Sequence, residues 1–119
     1  MNLELVIAGY LACALWTATD EDGEPLDDVY SVTDFSIAAR AAARDDCADF
    51  IGLCQREGLE IDRIKPEQFG HDFWLTRNHH GAGFWDRDLG ELGDKLTTWA
   101  HAAGSCDVYE SDTDELEFS

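Results

Sequence analysis

The sequence predicts an α+β domain. The expected order is two N-terminal helices, an antiparallel hairpin, a third helix and a short C-terminal hairpin, giving about four antiparallel strands. Three observations carry that expectation. Apolar residues recur at helical spacing up to about residue 57 and again after residue 88. Between them, an aromatic-rich stretch is compatible with a period of two. The last residues form two short β-prone runs around an acidic turn. A length of 119 residues suits one domain over 1–119, with a core that needs no staples. The hydrophobic content is 45%, with four Trp and six Phe, and sets the chain apart from disordered segments of similar charge.

Asn2 is placed to cap a first helix from about Leu3 to Trp16 or Thr17. Leu3, Ile7, Tyr10, Leu11 and Ala14 make one face, and Val6, Cys13 and Leu15 widen it until little polar surface remains. Such a helix is expected in the middle of the domain. Residues 19–28, from Thr19 to Asp28, are carboxylates punctuated by Gly23 and Pro25, and read as a loop. Thr33 or Asp34 then caps a long helix to about Glu57, with Gly58 as its stop. The run from His71 to Arg77 reads as a strand, residues 78–81 as a turn, and Ala82 to Arg87 as the returning strand. That register sets Leu75 opposite Phe84, Trp74 opposite Trp85 and Asp72 opposite Arg87, all favourable cross-strand pairs. Asp88 and Glu91 resemble a capping box for a third helix, with Leu89, Leu92, Leu96, Trp99 and Ala103 as its buried stripe and Gly104 as its end. Cys106 to Glu110 and Leu116 to Phe118 are the final strands.

The most specific segment is Gly70-His71-Asp72-Phe73-Trp74-Leu75-Thr76-Arg77-Asn78, continuing to Gly81-Ala82-Gly83-Phe84-Trp85-Asp86. With Ala14-Leu15-Trp16, Pro25-Leu26 and Ser105-Cys106-Asp107-Val108-Tyr109, it resembles a family of small acidic proteins of bacteriophages and related mobile elements. This chain departs from the family pattern at His79, where Gly is usual, and at Ser111-Asp112-Thr113-Asp114-Glu115, a turn without Gly. The resemblance implies a phage or prophage origin and lends no established activity.

Charge is the strongest functional signal. Acidic residues number 26 against 8 basic, a formal charge of −18. No Lys or Arg precedes Arg40 and none follows Lys95. Such a chain repels nucleic acid and anionic lipid and attracts basic protein surfaces. Eighteen charges match roughly 30 Å of duplex DNA, so mimicry of a nucleic-acid backbone is one reading, beside ordinary solubility and a halophilic adaptation that the scarcity of Lys also fits. The expected partner-binding bands are the first loop (Asp20, Glu21, Asp22, Glu24, Asp27, Asp28) and the tail (Asp107, Glu110, Asp112, Asp114, Glu115, Glu117). Trp74 and Trp85, if exposed on one hairpin face, would add a docking patch. Packing of both hairpin faces against helices is the alternative.

Other chemistry finds little footing. His71, Asp72, His79, His80 and Asp86 are the one ligand-like group, but a strand would separate His71 from the turn histidines by roughly 20 Å. No metal site is expected. No Ser or Cys sits in a nucleophile elbow, and no glycine loop followed by Lys cradles phosphate, so neither catalysis nor a cofactor is expected. Cys13, Cys47, Cys54 and Cys106 have no zinc-like spacing; Cys13, Cys47 and Cys54 sit in apolar stretches and read as buried thiols of a reducing cytoplasm. The run Leu5–Trp16 is too short to span a bilayer and lacks a basic flank, so neither a membrane span nor a signal peptide is expected. The resulting expectation is a non-enzymatic phage protein in the bacterial host cytoplasm. It would inhibit a CRISPR or restriction complex by covering a basic surface, without binding nucleic acid itself. The alternative is a small interaction protein of phage replication or assembly.

Overall fold

The computed structural model describes residues 1–119. It contains four α-helices and one two-stranded antiparallel sheet: α1 (Leu3–Thr17), α2 (Ile37–Arg56), α3 (Pro66–Arg77), α4 (Glu91–Ala102), β1 (Val108–Glu110) and β2 (Leu116–Phe118). A single cluster of 26 buried hydrophobic residues draws on all four helices and on β2.

Local chemistry sets most boundaries where expected. The Asn2 side chain accepts the Leu5 amide at the start of α1. Gly58, at φ +72°, closes α2, with the Leu59 amide donating back to the Cys54 carbonyl. The start of α2 shifts to Ser36, whose hydroxyl accepts the Ala39 amide, because residues 32–34 turn separately as a single 3₁₀ turn. α4 starts at Glu91, after Asp88 and Gly90, both at positive φ, so no Asp88 capping box forms. The C-terminal hairpin pairs Val108 with Phe118 and Glu110 with Leu116.

The central hairpin does not exist, and with it goes the four-stranded sheet. Residues 66–77 are helix, and β1 and β2 pair only with each other. Pro66 occupies the first helical position, where its missing amide costs nothing. Phe69, Phe73 and Thr76 fall on one line of the helix and Gly70, Trp74 and Arg77 on the next, and all six are buried. Burial on nearly every side hides the 3.6-residue period, and the aromatic content then imitates a strand.

What holds α3 as a helix is a backbone-to-backbone crossing with α1. A Cβ on Gly70 would lie 1.9 Å from the Val6 carbonyl oxygen, and one on Gly9 would lie 2.0 Å from that of Glu67. Only glycine at both positions lets the helices meet this closely. Around the crossing, Phe73 stacks on Phe50 with centroids 4.1 Å apart, and Tyr10 meets Trp74 edge-on at 5.3 Å. Arg77 is buried. Its guanidinium donates to Asp46 Oδ2 (2.6 Å), to the Tyr10 hydroxyl (2.9 Å) and to the carbonyls of Ala103 and Gly104, so one side chain ties α3 to α1, α2 and the end of α4. Asp72 and Arg87 do pair, through three hydrogen bonds of 3.0–3.3 Å, but from helix to loop rather than across strands. The loop itself is pinned where the Phe84 amide donates to the Thr76 hydroxyl. α1 also departs from expectation: Leu5, Ala8, Ala12 and Trp16 form an exposed line along it, so it is not enclosed on all sides.

Candidate partner-binding face

The two acidic bands are far apart in sequence and adjacent in space. β2 makes a parallel bridge with Phe35, and the Ser36 amide donates to the Leu116 carbonyl at 3.1 Å. That contact lays the C-terminal hairpin along the segment leaving the first loop. The Tyr30 hydroxyl donates to Glu110 Oε2 at 2.7 Å, and the Ser36 hydroxyl donates to Glu117. A groove of about 350 Å³ runs between Asp20, Glu21 and Asp22 on one wall and Val108, Tyr109 and Glu110 on the other, with Leu26 at its base. A wider cleft of about 800 Å³ continues from it past Thr19, Val108 and Tyr109 toward Asn78 and His80.

The carboxylates divide by role. Asp20 Oδ1 accepts the amides of Asp22 and Glu24, both at 2.9 Å, which folds the loop tip back on itself. Glu110 and Glu117 are engaged by Tyr30 and Ser36. Glu21, Asp22, Glu24, Asp27, Asp28, Asp107, Asp112, Asp114 and Glu115 are exposed. Glu110 holds the Tyr30 phenol up at about 12 by accepting its hydrogen bond, and the negative charges of Glu110, Asp114 and Asp34 add to the shift. Those groups, from the first loop region and from the tail, act on one side chain. Neither 1–39 nor 96–119 carries a Lys or Arg; the Arg40 guanidinium donates to the Val32 and Phe35 carbonyls, beside the junction of loop and tail.

Sequence reasoning missed four contributors. Asp34 extends the acidic stretch and accepts the Ser31 amide at 2.8 Å. Tyr30 joins loop to tail. Tyr109, 48% exposed, adds an aromatic surface among the carboxylates. A run of acids flanked by tyrosines was the available signal. Val29, 77% exposed, adds an aliphatic one.

The tryptophan patch needs correction. Trp74 is 3% exposed, and its indole donates to the Thr17 hydroxyl at 2.8 Å; Trp85 is 54% exposed on the loop before α4. They share no surface, because helix and loop orient them independently. Nor do the histidines gather. His71 stacks on Trp16 at 5.9 Å beside Asp72, while His79 stacks on His101 at 4.1 Å. The strand-based spacing of 20 Å lapses with the hairpin, yet no three His, Cys, Asp or Glu side chains are grouped to hold a metal ion. Burial pushes the thiols up, Cys13 and Cys47 to about 12 and Cys54 to about 11, so none of these is a thiolate at neutral pH.

No helix is long and apolar enough to cross a membrane. Comparison with protein-family models, with curated proteins and with solved structures returns no match.

Proposed function

We propose that the protein is a phage-type counter-defence inhibitor whose acidic face covers a basic nucleic-acid-binding surface on a bacterial CRISPR or restriction complex. The observation that carries this reading is the merging of loop and tail into one anionic face, with Tyr109 exposed on it. Carboxylates at this density attract a surface built for phosphate and speed the encounter; the exposed Tyr109 ring slows dissociation. The action is steric and electrostatic, with no chemical step and no cofactor. It takes place in the cytoplasm of the host cell, where such complexes operate.

A second reading, a non-enzymatic interaction protein of phage replication or assembly, draws on Trp85, whose exposure lets it anchor a partner that is no nucleic-acid machine.

The test is association kinetics with a complex recovered from host lysate at low salt. Exposed charges are screened within about 8 Å at physiological ionic strength, so association slows steeply as salt rises. Asp20, Asp22, Asp27 and Asp28 changed together to Asn, or Asp112, Asp114 and Glu115 changed to their amides, lower the association rate more than they raise the dissociation rate. Asp20→Asn keeps the Oδ1 that folds the loop. Nucleic acid and the protein compete for one site on the complex. A partner indifferent to both sets of substitutions, and still binding nucleic acid normally, would overturn the proposal.

A further inference from the structure

One face of the molecule escapes the acidity of the rest. Along α1 the exposed residues Leu5, Ala8, Ala12 and Trp16 follow one another at spacings of three, four and four, a single line on the helix. Along α2 the exposed residues Ile37, Ala41, Arg44 and Ala48 do the same at four, three and four. An ion pair between Arg44 and Glu4 joins the two helices, so the lines border each other. Three of the large side chains here are conspicuously uncovered: Ile37 is 88% exposed, Trp16 62% and Leu5 40%. Neither line contains a carboxylate. The charged groups on or beside the two lines are Glu4, Asp45 and Glu67 against Arg40 and Arg44, a local net of −1 in a chain of −18.

We infer that this face is a self-association surface, through which two copies pack α1 against α1 in antiparallel fashion. Two features select a second copy as the occupant. The first is symmetry. The α1 line is large, small, small, large, with its midpoint between Ala8 and Ala12. A two-fold axis there sets Ala8 against Ala12 of the second copy and brings Leu5 within one residue, about 1.5 Å along the axis, of its Trp16. Such isologous matching is what a two-fold contact requires. Alanines at the centre let the helix axes come to about 8 Å, the close end of the usual range. The second is charge. Across the acidic loop and tail, two copies would bring like-charged carboxylates together; here they bring nearly equal numbers of cations and anions. The line from residue 5 to residue 16 is about 17 Å long at 1.5 Å per residue, and Ile37 and Ala41 extend the contact onto α2. A standard interface takes about 800 Å² from each partner, roughly an eighth of the 6645 Å² surface.

This inference is independent of the acidic-face reading and has the opposite salt signature. The dimer forms despite a repulsive net charge, so screening strengthens it, whereas acidic-face binding weakens. Sedimentation velocity over about 5 to 500 μM, at 0.05 M and 0.5 M salt, should show mass rising from 13.3 kDa toward twice that, with the midpoint at lower concentration in high salt. Ala12→Glu introduces a carboxylate beside the axis at an exposed site and should weaken the dimer at least tenfold. Trp16→Ala should weaken it by a similar factor, and Trp85→Ala should leave it unchanged. Circular dichroism melting checks that each variant folds. A monomer at 500 μM in 0.5 M salt would overturn the inference. So would a dimer untouched by both α1 substitutions, or one that weakens as salt rises.

Discussion

Gly70→Ala separates the observed helix crossing from the hairpin that the sequence suggests. The added Cβ would sit 1.9 Å from the Val6 oxygen, 2.8 Å from its carbonyl carbon and 2.9 Å from the Tyr10 nitrogen. Carbon–oxygen contacts normally begin near about 3.3 Å, so α1 and α3 must part by more than about 1 Å. All three obstructing atoms are backbone, and no rotamer change can clear them. A gap of that size removes roughly a quarter to a half of the dispersion attraction between the facing side chains, and overpacking of this kind costs about 3 kcal/mol or somewhat more. Replacing glycine inside a helix returns about 1 kcal/mol. The net loss is therefore about 2–3 kcal/mol, a substantial share of the 5–15 kcal/mol typical of a domain. With a urea slope of about 1.5 kcal/mol/M, the unfolding midpoint falls by roughly 1.3–2 M. Gly52→Ala is the control. Nothing lies within 4 Å of a Cβ there, inside α2, so the same assay should show a gain of about 0.5–1 kcal/mol. If Gly70→Ala matched the gain of Gly52→Ala, α3 would not cross α1 as described, and the argument from the two glycines would fail.

His79 sits at φ +57° just past α3, and its amide and that of His80 donate back to the carbonyls of Thr76 and Leu75. Glycine is at ease in that left-handed position, where other residues pay about 1–2 kcal/mol. Set against a more flexible unfolded chain and the lost stack on His101, His79→Gly should raise Tm by about 2–4 °C; a lower Tm would contradict the cap. The buried thiols predict an alkaline weakness. The unfolded chain releases their protons near pH ~8.5, while folded Cys13, Cys47 and Cys54 hold theirs to about 11–12. Stability is then fully present below about pH 8.5 and declines as pH climbs toward 11. Urea midpoints at pH 7, 9 and 10 check the slope, and a flat profile to pH 10 would refute it.

The sequence by itself determined what depends on neighbours in the chain. Asn2 caps α1, Gly58 ends α2, the stripe of Leu92 and Leu96 buries one side of α4, and the run from Leu116 to Phe118 is a strand. The charge asymmetry was equally legible, because it is a matter of counting. Tertiary structure decided the rest. Residues 71–77 contain a helical and an alternating pattern at once, and it is tertiary contact, the close approach of Gly9 and Gly70 to facing backbone together with the Arg77 hydrogen bonds, that accompanies the helix. Asp72 and Arg87 attract each other from either arrangement, so their pairing could not discriminate between the two. Trp74 is buried and Trp85 exposed because one belongs to α3 and the other to the loop after it, a difference no local composition encodes. The acidic face follows the same logic. Its carboxylates lie in two segments separated by most of the chain, and they become one surface because β2 bridges to Phe35, a long-range pairing fixed by burial of Leu116 and Phe35 rather than by any local preference.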